Sequence, residues 1–114
     1  MDDKDKRVLN KILEHAECIV VETKAIKDAI DFRYNNDQTK AALFDLLQIG
    51  ELAKDGLSQE TVRSIDTIPW KEIYALRNRI VHGYASVDYQ IIWETICDDI
   101  PKLIRELRAI LSDF

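Results

Sequence analysis

The chain has 114 residues, 46% of them hydrophobic and 32% charged, with three glycines and two prolines. That length suits a single domain spanning 1–114, and so few glycines and prolines exclude a disordered chain or a sandwich with many turns, which leaves an all-α domain. A formal net charge of -5 repels nucleic acid as a whole, so any RNA site has to be a local basic patch on an acidic surface.

The segment Met1 to Arg7 is densely charged, unlike a signal peptide, and no apolar run approaches the ~18 residues of a membrane span. A cytoplasmic protein is expected. From Leu9 to Ile30, apolar residues recur every three or four positions (Leu9, Ile12, Leu13, Ala16, Ile19, Val20, Ile26, Ile30), which predicts one long amphipathic first helix. His15 reads as a surface histidine beside Glu14, and Cys18, like Cys97 further on, as a buried free thiol in an apolar helical pattern. The polar run Arg33 to Gln38 breaks the helix and offers capping side chains to the next.

A second helix is expected over Thr39 to Lys54, where Ala41, Ala42, Leu43, Phe44, Leu46, Leu47, Ile49 and Leu52 wrap apolar surface around most of the circumference. Such a helix is buried on more than one side, either at the centre of a bundle or against a second subunit. The latter is a first reason to expect a homodimer. Gly56, able to take a positive φ, is expected to end it, and Ser58 to cap a short connecting helix through about Ser64.

Pro69 suits a first helical position, so Trp70 to His82 is predicted as the third main helix, with Ile73, Leu76 and Ile80 buried and Gly83 as its stop. Asp88 caps a last helix carrying Ile92, Ile96, Ile100, Leu103, Leu107 and Ile110. Pro101 interrupts it, because proline lacks the N–H that would reach the Cys97 carbonyl, so a kink or a junction of two helices is expected there. The sum is an up-down helical bundle of four main helices plus a short connecting helix.

The chemistry is concentrated in Arg77-Asn78-Arg79-Ile80-Val81-His82-Gly83-Tyr84. An arginine is a permanent planar cation that matches a phosphate, and a histidine titrates near neutral pH. Lys71, Arg77 and Arg79 stand against Glu72 alone here, whereas Asp88 to Asp99 carries four acids and no base. On an ideal helix His82 lies about 140° round from Arg77. The two therefore meet at one phosphate only if the helix end unwinds or a partner subunit supplies the second group. RNA cleavage needs a base for the 2′-hydroxyl, an acid for the leaving 5′-oxygen and positive charge on the phosphate, and two copies of Arg77 and His82 would provide these. No Glu-x-x-His pair or Cys/His spacing points to a metal, and Trp70 and Trp93 read as core aromatics.

With Leu47-Gln48-Ile49-Gly50-Glu51-Leu52-Ala53-Lys54, Ile68-Pro69-Trp70, Ile92-Trp93-Glu94 and Asp99-Ile100-Pro101 around it, the motif resembles that of the HepT-like branch of the HEPN superfamily (higher eukaryotes and prokaryotes nucleotide-binding). Its toxin members carry Arg-x4-His-x-Tyr. The resemblance covers about residue 39 to the end and implies an all-helical homodimer whose motifs face a shared cleft, acting as a metal-independent endoribonuclease of a toxin-antitoxin pair. Arg77 would then bind the scissile phosphate and His82 carry the proton. Asn78 would orient His82 or a phosphate oxygen, and Glu51 would pair with a motif arginine. The implied antitoxin is a minimal nucleotidyltransferase that silences the toxin by AMPylation of Tyr84, placing bulk and negative charge opposite Arg77.

The expected partners are thus a second copy, RNA and that nucleotidyltransferase, with no DNA, no membrane and no cofactor. Two other readings stay open: a non-catalytic HEPN subunit that grips a nucleotide for a nucleotidyltransferase, and a plain dimerisation bundle.

Overall fold

In the computed structural model, which describes residues 1–83 and 86–113, the chain opens with helix α1, Asp3–Glu22. Asp2 caps it by accepting the Asp5 N–H at 2.7 Å, and Leu9, Ile12, Ala16 and Ile19 form its buried stripe. The helix is shorter than the periodicity predicts. The Thr23 hydroxyl donates to the Ile19 carbonyl at 2.7 Å, a local side-chain bond that competes with helix continuation. Asp28 then caps a separate short helix α2, Ala29–Tyr34, by accepting the Asp31 N–H at 2.8 Å. Ile30, expected on the apolar face, is accordingly 72% exposed, while Phe32 is fully buried.

Helix α3, Asn36–Glu51, starts three residues before the expected position and runs on through a π-helical turn, Leu52–Gly56. No described glycine has a positive φ, so Gly56 does not end the helix by a left-handed turn. A Cβ there would instead stand 3.0 Å from Val8 Cγ1, and the missing side chain lets α1 pack close. Ser58 caps helix α4, Gln59–Ser64, and α5, Trp70–His82, has the predicted bounds. Trp70 is buried and donates its indole N–H to the Ile65 carbonyl at 3.0 Å.

Asp88 accepts from the Gln90 and Ile91 N–H groups and so caps helix α6, Tyr89–Glu94. A second π turn, Thr95–Asp99, then leads into α7, Ile100–Ser112. The interruption expected at Pro101 takes the form of this π turn: the Ile100 N–H reaches back five residues to the Thr95 carbonyl, directly before the residue that has no N–H to give.

The four long segments are α1, α3, α5 and α6–α7, with α4 the expected connector and α2 an addition. Helix α1 packs on α3 and α7, and α2 on α6, while α5 packs on α3 and the first π turn. One cluster of buried side chains joins Leu9 and Ile12 of α1 to Leu46 and Ile49 of α3 and Leu103 and Leu107 of α7. Trp93 stacks at a tilt on Phe32 with ring centroids 5.5 Å apart, so both tryptophans belong to the core side of their helices. No described helix is long and apolar enough to cross a membrane.

The cysteines depart from expectation, since both Cys18 and Cys97 are free but exposed. His15 departs as well. Its Nδ1 lies 2.8 Å from Oδ1 of the buried Asp45 on α3, thirty residues away, and the imidazole is half-buried.

Candidate active site at the α3–α5 crossing

Helix α5 carries the motif, and its two sides face different neighbours. Arg77 turns to α3, where its Nε donates to Glu51 Oε1 at 2.8 Å and its Nη2 donates to the same oxygen. The third bond runs from Nη1 to Asn78 Oδ1 at 2.9 Å. Only 18% of the Arg77 side chain is exposed. The Glu51 carboxyl sits below its ordinary range, chiefly because it accepts these bonds; burial is the next effect and opposes them, and the guanidinium charge adds a smaller lowering.

Of the five guanidinium N–H groups, those three bonds use one each on Nε, Nη2 and Nη1. One N–H on each of Nη1 and Nη2 remains. Two such donors on one planar cation suit two oxygens of a phosphate.

His82 lies at the other end of the motif and on another side of the helix. It is exposed and lines a cavity of about 410 Å³ between the end of α5 and α6, with Leu76, Arg79, Val87, Asp88 and Ile91. Among the described residues no hydrogen bond or ion pair joins Arg77 to His82. The divergence expected from helical geometry is present within one copy. Gly83 ends α5 with its N–H on the Arg79 carbonyl at 2.9 Å and φ of −135°. Its stop therefore rests on space rather than on a left-handed turn, because a Cβ would come 3.1 Å from that same carbonyl oxygen.

Of the remaining candidates, Glu51 pairs with Arg77 as the resemblance implied. Asn78 is exposed and bonds to Arg77 rather than to His82. Arg79 is exposed and lines a second groove, about 440 Å³, between α5 and α6–α7 with Glu72, Asp99, Lys102 and Glu106 on its rim. Arg79 of the motif and Asp99 of the acidic segment thus line one groove. Tyr84 lies outside the described residues. Among the described residues no group of three or more His, Cys, Asp or Glu is placed to hold a metal ion.

Sequence reasoning passed over Gly50 as a residue with a role of its own. It is buried on α3, and a Cβ on it would stand 2.3 Å from Arg77 Cβ. The available signal was a glycine inside a helix, where it costs about 1 kcal/mol relative to alanine.

The sequence profile of the family described as "Ribonuclease HepT-like" matches residues 9–110. The chain belongs to this HepT-like family, within the HEPN superfamily. Relatives agree along most of the HepT-like chain. It is 37% identical over 104 residues to a protein of Caldanaerobacter subterraneus subsp. tengcongensis named "Putative RNase", covering 91% of each chain. A protein of the same printed description in Methanocaldococcus jannaschii is 31% identical over 105 residues, 92% of this chain and 94% of that one. A protein of Thermococcus cleftensis named "Probable ribonuclease HepT" is 33% identical over 73 residues, 64% of this chain and 66% of that one. No solved structure matches the chain.

Proposed function

We propose that this protein is a metal-independent endoribonuclease and the toxin of a toxin-antitoxin pair, with the whole chain acting as one HEPN domain in a homodimer. What supports the reading most is the Arg77 guanidinium, held by Glu51 and Asn78 with one N–H on each of Nη1 and Nη2 left to donate to a phosphodiester. The family supplies the substrate class, RNA.

The step is an internal phosphoryl transfer. The 2′-hydroxyl gives its proton to a base, the 2′-oxygen attacks phosphorus, and the 5′-oxygen leaves with a proton from an acid. The products are a 2′,3′-cyclic phosphate and a 5′-hydroxyl. Arg77 stabilises the charge that builds on the non-bridging oxygens, and His82 carries a proton. One copy has one histidine in the motif and turns it away from Arg77, so a two-fold pair, with two copies of each residue at a shared cleft, completes the set. Phe44 on α3, 57% exposed, and Val81, one turn beyond Arg77 and 41% exposed, leave apolar surface on the helices that such a pairing would cover. Tyr84 is the proposed acceptor of AMP from a partner nucleotidyltransferase.

Purified protein freed of any partner should cleave RNA in EDTA, and His82→Ala should abolish cleavage without lowering the melting temperature. Cleavage that survives His82→Ala, or that requires a divalent ion, overturns the mechanism. Nucleotide binding without cleavage would favour a non-catalytic subunit instead. For the partner, intact mass of protein co-expressed with its nucleotidyltransferase should show added adenylyl groups that disappear in Tyr84→Phe.

A further inference from the structure

Helices α3 and α5 approach so closely at one point that side chains cannot be present on both. A Cβ built on Gly50 meets Arg77 Cβ at 2.3 Å, Cγ at 2.7 Å and Cα at 3.5 Å, where carbon atoms normally sit about 3.5–4.0 Å apart. The first of these contacts is decisive. A Cβ is fixed by its backbone, so no change of rotamer at Arg77 relieves it, and the helices themselves would have to separate by roughly 1 Å.

The arginine stem that occupies this space leads directly to the guanidinium whose side edge is taken by the next residue along α3, Glu51. We propose that Gly50 is a positioning residue for Arg77. By lacking a side chain it admits the Arg77 stem against the α3 backbone, which places the guanidinium against Glu51 and fixes the orientation in which its remaining N–H groups are offered to a phosphate. The proposal rests on the reading of Arg77 as the phosphate-binding group.

The test is Gly50→Ala, read in two ways. Without RNA, the Glu51 carboxyl is titrated by NMR in wild type and variant. Wild type should titrate below the ordinary glutamate range, and Gly50→Ala should return Glu51 towards it while the domain stays helical. With RNA, Gly50→Ala should cut cleavage by roughly 100-fold, the loss expected for a misplacement of about 1 Å, and the Gly50→Ala/Arg77→Ala pair should be no slower than Arg77→Ala alone. A glycine needed only for general packing would give losses that multiply and would leave Glu51 unchanged. If Gly50→Ala does not fold, Gly50→Ala/Arg77→Gly must, because it vacates the contact. An unshifted Glu51 in folded Gly50→Ala, or failure of that pair to fold where Arg77→Gly folds, overturns the role of Gly50. A wild type that never cleaves RNA overturns the ribonuclease reading and leaves the Glu51 titration to judge Gly50.

Discussion

Asp5 ties the start of α1 to α4, and replacing it with alanine should lower stability by about 3 kcal/mol. The residue is 2% exposed. Its Oδ1 accepts the Ser58 N–H at 3.0 Å, and its Oδ2 accepts the Ser58 and Thr61 hydroxyls, both at 2.7 Å. Thr61 is buried and Ser58 exposed. Without the carboxylate the Thr61 hydroxyl is stranded out of reach of water and contributes most of the loss, whereas the Ser58 groups recover solvent. A change of this size corresponds to a fall in melting temperature of about 12 °C for a chain of this length.

The sign with pH is fixed too. The Asp5 carboxyl lies below its ordinary value, chiefly through the Thr61 bond and helped by both Ser58 bonds, with burial acting the other way. Its contribution is therefore fully present above the unfolded pKa and disappears as pH falls through the folded one. Urea unfolding of wild type and Asp5→Ala, followed by circular dichroism at pH 7 and at pH 2, checks both points. A difference under about 0.5 kcal/mol at pH 7, or a gap at pH 2 as wide as at pH 7, refutes the account.

Glu22 behaves oppositely, pushed up to about 7 by burial first and then by the bond and charge of Asp45, with Oε2 buried and unpartnered. A folded acid raised above its unfolded value stabilises below the unfolded pKa and loses that stability as pH rises through 7, so the melting temperature should fall from pH 5 to pH 8, and Glu22→Gln should flatten the curve. Glu51→Ala should reduce RNA cleavage at least tenfold with little change in melting temperature, because Glu51, 34% exposed, orients Arg77 more than it stabilises the fold; faster cleavage would mean that Glu51 sequesters the arginine instead. A site shared between two copies predicts that activity per chain falls on dilution through the monomer–dimer midpoint measured by sedimentation, whereas constant activity across that midpoint would place a complete site in one copy.

What the sequence conveyed well was local. The cap residues Ser58 and Asp88 and the span Trp70–His82 each follow from a side chain bonding to backbone a few residues away or from a proline or glycine at a boundary. The long first helix was misjudged because its periodicity survives the break: Ile26 and Phe32 are still buried, and only the Thr23 and Asp28 side-chain bonds reveal that the chain has turned. Partners distant in sequence were invisible. His15 sits beside Glu14 in the chain but is held by Asp45, and nothing around either residue announces the other. The Arg77–Glu51 pair came from a family resemblance, since a spacing of 26 residues carries no helical periodicity. Gly50 could have been noticed, yet its reason is a crossing between two helices whose register no local pattern states.

An acidic chain that handles RNA has to attract phosphate without a positive field, and the geometry indicates how. Arg77 and Glu51 together carry no net charge, so what reaches an anion is not a diffuse potential but two directed N–H groups on a cation already fixed in orientation. Directed donors of this kind act at hydrogen-bond distance and strengthen as water is excluded. The opposite side of α5 is less suited to a polyanion, because Glu72, Asp99 and Glu106 outnumber Arg79 and Lys102 along its groove. The proposed mechanism therefore brings RNA to the side where α3 and α5 cross. Under the proposed mechanism His82, facing the α6 side in its own copy, would meet the phosphate from a second copy. The separation of Arg77 from His82 within one chain is, on this view, what makes pairing a condition of cleavage.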